Sequence, residues 1–434
     1  MVIVLRRVKR GPGPILRSGT LDAVPFLADG LESGFVDPGG AMPQSASAKV
    51  ALYASVGPEL TQYDVDIETA MLARRGTVNL PANVHYAWPH CSGRFLYIAS
   101  SNTRPGMGPA GDKHHVTAFG IDPSSGALTP HGEPIMLPTR PIHMTSDIPS
   151  RHLLVAFSNP SGVRVYRINP DASPGAEVPQ PGPIDAGIYG HQVRVSPDNR
   201  MAILVTRGHD PAGGKPEEPG ALKVFDYDDG LLSNEASIAP NGGNGFGPRH
   251  LDFHPTRPWA YVSLERQNKL DMFVISGNRL SSAPVFHKET LAEPGNIRGR
   301  QAAGTVHVHP NGRFVYAANR ASSTIDVGGK PFFAGGENTI AVYEIDTATG
   351  EPVPIQHVDT RGIHCRTFHI DPSGRMLVAA HIMALPVREG SAIRTVPASL
   401  AVFRIDEGGG LDFIRKYDVD VGDRTMFWMG MVPL

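Results

Sequence analysis

The sequence has little of most things that would mark out a protein at a glance. Two cysteines in 434 residues, Cys91 and Cys365, are too few for a disulfide framework or, alone, for a thiol-rich zinc site. They are read as free thiols, buried or half-buried. No stretch approaches the roughly 18 consecutive apolar residues of a membrane-spanning helix, so no membrane partner is expected. Neither sign of charge prevails: 40 Lys and Arg face 42 Asp and Glu, a net charge of −2. That balance argues against a coat for nucleic acid or for an anionic membrane. The first residues place a short apolar run ahead of Arg6, Arg7, Lys9 and Arg10, the reverse of a secretory leader, and the cytoplasm is the expected compartment.

What is plentiful is turn chemistry. Gly 48 and Pro 40 make about a fifth of the chain, too much for a helical bundle and suited to many short strands. An alternating apolar phrase built around an aromatic recurs seven times, at Tyr63, Phe119, Tyr166, Phe225, Phe273, Tyr343 and Phe403, about 57 residues apart. A second phrase, a Pro turn with Arg followed by an apolar strand, interleaves six times, from Pro89, Pro149, Pro197, Pro255, Pro310 and Pro372. Six against seven is resolved by ring closure, with the strand near Met426-Phe-Trp428-Met supplying the inner strand of a blade that otherwise begins near Val50. The expected architecture is all-β: a seven-bladed β-propeller over 46–434, closed by a C-terminal inner strand, behind a poorly ordered N-terminal extension over 1–45.

The repeat register then predicts a site. Six residues before each turn proline stand Asn83, His143, His191, Arg249, Gly304 and Arg366; ten after it stand Arg207, Glu265, Arg320 and Ile382, with His381 one position away. In an antiparallel hairpin these two positions are neighbours at the end opposite the turn. They should therefore ring one mouth of the central channel, under insertions at 208–220, 321–338 and 383–399 that project as lids. Several arginines around a concave mouth form an anion clamp, because the guanidinium fork pairs with carboxylate or phosphate through parallel hydrogen bonds. Glu265 and His191 are candidate bases, Arg249 a catalytic electrostatic donor, and Arg320, Arg207, His143, Arg366 and His381 candidate substrate ligands. Neither cysteine falls in the register and there is no Gly-x-Ser-x-Gly elbow, which leaves water rather than a covalent nucleophile.

These phrases resemble the lactonase family of seven-bladed propellers, which includes propeller-type 6-phosphogluconolactonases and carboxymuconate lactonizing enzymes. The resemblance spans about 48–434 and is most specific in Gly247-Pro-Arg249-His250-Leu-Asp-Phe-His-Pro255 with Glu265, and in His309-Pro-Asn-Gly-Arg-Phe-Val-Tyr-Ala-Ala-Asn319-Arg320. It implies that His191, Arg249, Glu265 and Arg320 match the family's pocket residues, with no metal and no cofactor. The expected function is metal-independent hydrolysis of a small anionic lactone, a sugar-acid or phospho-sugar lactone, by a monomer or weak homo-oligomer. A muconate-type cycloisomerase and a non-catalytic binding propeller are the alternatives. Departures from the family lie after Arg320, where Ala321-Ser-Ser-Thr stands, at 383–399 and at the N-terminus. Two other signals are discounted: Gly106-Met-Gly108-Pro-Ala-Gly111 leads into a strand rather than a phosphate-cradling helix, and His114, His115, His307 and His309 lack a carboxylate or cysteine partner for a metal.

Overall fold

In the computed structural model, which describes residues 49–104, 108–390 and 392–434, each aromatic anchor falls in the third strand of a four-layered antiparallel blade. The extension expected over 1–45 lies outside the described residues, as do 105–107 of the glycine-rich segment. Blades 1 to 6 follow the chain, with first strands Asn83–Pro89, Pro141–Ser146, Gly190–Val195, Pro248–Phe253, Gln301–Val308 and Cys365–Ile370. In blade 7 the C-terminal strand Met429–Pro433 pairs with Val50–Val56, which carries Glu59–Asp66 and Met71–Asn79 outward. The ring is thus closed across the two ends of the propeller chain, as the phrase count requires.

Burial follows from this stacking. Second strands such as Met201–Thr206 and Trp259–Leu264 are buried at every residue, because neighbouring blades cover both faces. Outer strands such as Leu128–Met136 bury no residue fully and leave most of them exposed. Seven hydrophobic clusters fill the seven blade interfaces; one joins Ala51 and Tyr53 of blade 7 to Leu96, Ile98 and Phe119 of blade 1.

At the turn ends, polar clasps reinforce the packing. The hydroxyls of Tyr97, Tyr261 and Tyr316 each donate to a turn carbonyl of the next blade, those of Ala172, Gly350 and Gly409, at 2.9 Å. His254 and His309 reach the carbonyls of Gly312 (2.8 Å) and Gly374 (2.7 Å) in the same way. His309 is therefore a scaffold histidine. Of the two free cysteines, Cys365 is buried, whereas Cys91 is exposed rather than covered as expected.

The other ends of the first strands are irregular. In six blades the register with the second strand slips by one residue, at His85, Ile142, His191, Arg249, Gly304–Thr305 and Arg366. A β-bulge leaves its extra residue out of the ladder and re-aims the side chain. The insertions leave from this same rim. Two of them fold into hairpins, Thr324–Val327 with Lys330–Phe333 and Leu385–Glu389 with Ala392–Val396, and the two hairpins touch.

Candidate active site

Bulged residues from blades 2, 3, 4 and 6 and the ends of second strands from blades 3, 4 and 5 line one cavity of about 810 Å³. Glu265, one residue past the strand Trp259–Leu264, is its electrostatic centre. Arg207 Nε donates to Glu265 Oε2 and Arg320 Nη2 to Oε1, while Arg249 Nε stands 3.9 Å from Oε1, too far for a hydrogen bond. Burial alone would raise the Glu265 carboxyl, but the guanidiniums of Arg320, Arg207 and Arg249 hold it well below the usual carboxylate range. With both oxygens engaged and so low a proton affinity, Glu265 is a poor general base. Its suitable work is to hold arginines in place.

Arg249 is the least satisfied of these groups. It is 1% exposed, and its Nε and Nη1 have no hydrogen-bond partner among the described residues. Burial first, then the guanidiniums of Arg320 and Arg366, press its pKa well below the ordinary value. Guanidinium keeps its proton in proteins nonetheless, so this pressure amounts to a demand for an anion. Arg366 lies over the Phe427 ring at 3.5 Å from the centroid, a cation–π contact that fixes its plane without neutralising it.

His191 is buried with Nδ1 unpartnered among the described residues. Burial, and next Arg249, put its pKa well below the usual histidine value, so it is neutral at pH 7. His364 is neutral for the same reasons, burial and then Arg320. Because Arg320 Nη1 only donates (3.3 Å), His364 Nε2 must accept, and Nδ1 then carries the proton toward Ser322 Oγ at 2.8 Å.

Of the residues predicted from the register, the structure brings together His191, Arg249, Glu265, Arg320, Arg207 and Arg366 on the wall of this cavity. It does not bring His143 or His381 there. Pro149 stands three residues beyond the strand end Ser146 rather than two, so Ile142 takes the bulge and His143 packs its ring 3.9 Å from that of Tyr86. His381 closes the strand Met376–His381, bonded through Nδ1 to Ser399 Oγ at 3.0 Å and buried against Gly362. The insertion at 208–220 does cover the cavity, with Asp210 ion-paired to Arg207, Arg266 and Arg300. The one at 321–338 contributes Ser322 and Ser323, whereas none of the described residues of 383–399 reaches the wall.

The register missed Tyr189 and His364, which also line the cavity. Each stands two residues before a bulge, with φ of 59° and 59°, and Gly247 holds the matching place in blade 4 with φ of 51°. A left-handed backbone suits glycine and strains Tyr or His. Gly247 in Gly-Pro-Arg was the available signal for this position.

The fold and site define a closed seven-bladed propeller with an arginine-walled cavity at the bulged ends of its inner strands. The family described as Lactonase, 7-bladed beta-propeller, matches residues 48–384, and the chain belongs to it. A 6-phosphogluconolactonase of Bacillus subtilis (strain 168) is 27% identical over 344 residues, 76% of this chain and 87% of its own. One of Cronobacter sakazakii is 29% identical over 289 residues, 66% of this chain and 74% of its own. A solved periplasmic gluconolactonase of Pseudomonas aeruginosa shares the fold, with a TM-score of 0.65 at 21% identity over 89% of this chain and 99% of that one. Lactone hydrolase is the enzyme class that goes with this membership. Among the described residues no helix is long and apolar enough to cross a membrane.

Proposed function

We propose that the protein opens the lactone ring of a small sugar-acid or phospho-sugar lactone in the Glu265 cavity, without a metal. The observation that carries this reading is the buried Arg249, whose Nε and Nη1 have no hydrogen-bond partner among the described residues, beside a carboxylate already engaged by two other arginines. Arg249, with Arg366 and Arg320, is placed to receive the substrate's anionic group or the oxygen that gains charge as water adds to the carbonyl. Preorganised donors of this kind act where charge develops, and losing one typically lowers turnover ~10²–10³-fold.

His191, rather than Glu265, is the base. Its neutral imidazole can take a proton from water; burial first and then Arg249 hold its pKa down, and an anion seated against Arg249 offsets the second of these. Glu265 serves by fixing Arg207 and Arg320, and Asp210 by fixing Arg207 and Arg300. Carboxymuconate would also satisfy the same cationic floor, and product analysis separates ring opening from cycloisomerisation. The cytoplasmic location belongs to this reading and is checked by cell fractionation.

The test is a panel of phosphorylated, carboxylated and neutral lactones, assayed with and without chelator. Hydrolysis of anionic lactones that is indifferent to chelator is the expected result. Loss on chelation removes the metal-free mechanism, and no turnover of any lactone removes the function.

A further inference from the structure

Behind the floor of the large cavity lies a second one of only about 10 Å³, bordered by His85, Tyr86, His191, Arg249, His250 and Arg366. Ile142, His191, Arg249 and Arg366 border both, so the two cavities adjoin along these side chains. That volume suits one water molecule and nothing larger. Three of its residues carry polar atoms with no hydrogen-bond partner among the described residues: His85 Nδ1, His191 Nδ1, and Arg249 Nε and Nη1. They are 0%, 6% and 1% exposed, respectively. Unpaired polar groups so deep are costly unless something small completes them.

The roles of these atoms are set by their neighbours. His85 Nε2 lies 3.2 Å from the carbonyl oxygen of Thr103, which only accepts, so Nε2 carries the proton and Nδ1 is a bare acceptor. Arg249 only donates. With His191 in the tautomer that leaves Nδ1 bare, a water here would receive one hydrogen bond from Arg249 and give its two protons to His85 and His191, leaving one lone pair free.

We propose that this chamber holds the hydrolytic water, the second substrate of the reaction, and presents it to the lactone from the protein side. This rests on the lactonase reading above. The free lone pair bonds to the carbonyl carbon while one water proton passes to His191, and the carbonyl π pair moves onto oxygen opposite the arginines. Collapse of that oxyanion breaks the ring C–O bond, and the ring oxygen takes the proton back from His191. Lactone and water thus become a hydroxy acid, which leaves as its carboxylate and releases one proton to solvent.

A chamber that admits water excludes larger nucleophiles, and this gives the test. The wild-type protein turns over a lactone in buffered methanol–water, and mass spectrometry counts free acid against methyl ester after subtraction of the enzyme-free reaction. The expected product is free acid alone. His85→Ala enlarges the chamber by most of an imidazole and should release methyl ester, with kcat down at least tenfold and KM within about twofold. Methyl ester from the wild type in proportion to methanol overturns the chamber, as does a folded His85→Ala that keeps wild-type kcat and makes none. If that variant does not fold, a high-resolution crystal structure of the wild type decides. An ordered water bonded to both His85 Nδ1 and Arg249 supports the chamber, and its absence overturns it. Failure to consume any lactone removes the lactonase reading instead, which separates the two failures.

Discussion

The two ends of the same inner strands are built to opposite rules. At the turn ends, Tyr97, Tyr261 and Tyr316 and the histidines His254 and His309 each find a carbonyl on the next blade. At the bulged ends, Arg249, His191 and His85 hold buried polar atoms without a partner among the described residues. The first rim is satisfied and stabilises the ring; the second gives up hydrogen bonds and keeps its charge available. A scaffold that left both rims unsatisfied would be short of stability, and one that satisfied both would have nothing left for a ligand.

Substitutions at the bulged rim should strike activity. Glu265→Ala leaves Arg207, Arg249 and Arg320 facing one another without their shared anion, so turnover should fall ~10²–10³-fold in steady-state assays and the unfolding free energy by about 3–5 kcal/mol. Glu265→Gln keeps the shape and tests the charge. With His191 as the proposed base, the neutral form is the active one, and wild-type activity should be lost only as pH falls through a pKa well below the usual histidine value. Glu265 raises that pKa, so the acid limb of kcat/KM should move to lower pH in Glu265→Gln. A limb that does not move, or moves up, removes His191 as the base.

The turn rim should behave in reverse. Tyr316→Phe leaves the Gly409 carbonyl without its donor and should cost about 1–3 kcal/mol in denaturant unfolding, with turnover unchanged. Smallest of all is His143→Leu. Its ring nitrogens have no partner to lose, so stability should hold or rise, and activity should stay within about twofold. A large loss of activity there would bring His143 back to the substrate.

Much of this was legible in the sequence because a propeller repeats. The aromatic anchors gave the third strands, the Pro-Arg turns gave the second strands, and the missing seventh turn gave the closure through Met429–Pro433. Counting from the prolines also found Arg249, Glu265, Arg207, Arg320, His191 and Arg366, because in blades 3 to 6 the turn proline stands two residues beyond the first strand. The count failed where that spacing failed. Pro149 sits one residue late, which displaced Ile142 by His143, and Pro89 belongs to its own strand, which hid His85 behind Asn83. The bulges themselves leave no residue-type signature, since His, Ile, Arg and Gly all occupy them. His364 escaped because it acts from a left-handed position two residues before the counted Arg366.

The most direct test is to measure turnover and melting temperature together for Arg249→Ala. If the bulged rim holds charge in reserve for a ligand, lactone hydrolysis should fall ~10²–10³-fold while the melting temperature stays close to that of the wild type, since Arg249 Nε and Nη1 make no hydrogen bond among the described residues and Glu265 stands 3.9 Å away. A variant that melts well below the wild type, or one that hydrolyses lactones at the wild-type rate, would contradict that account.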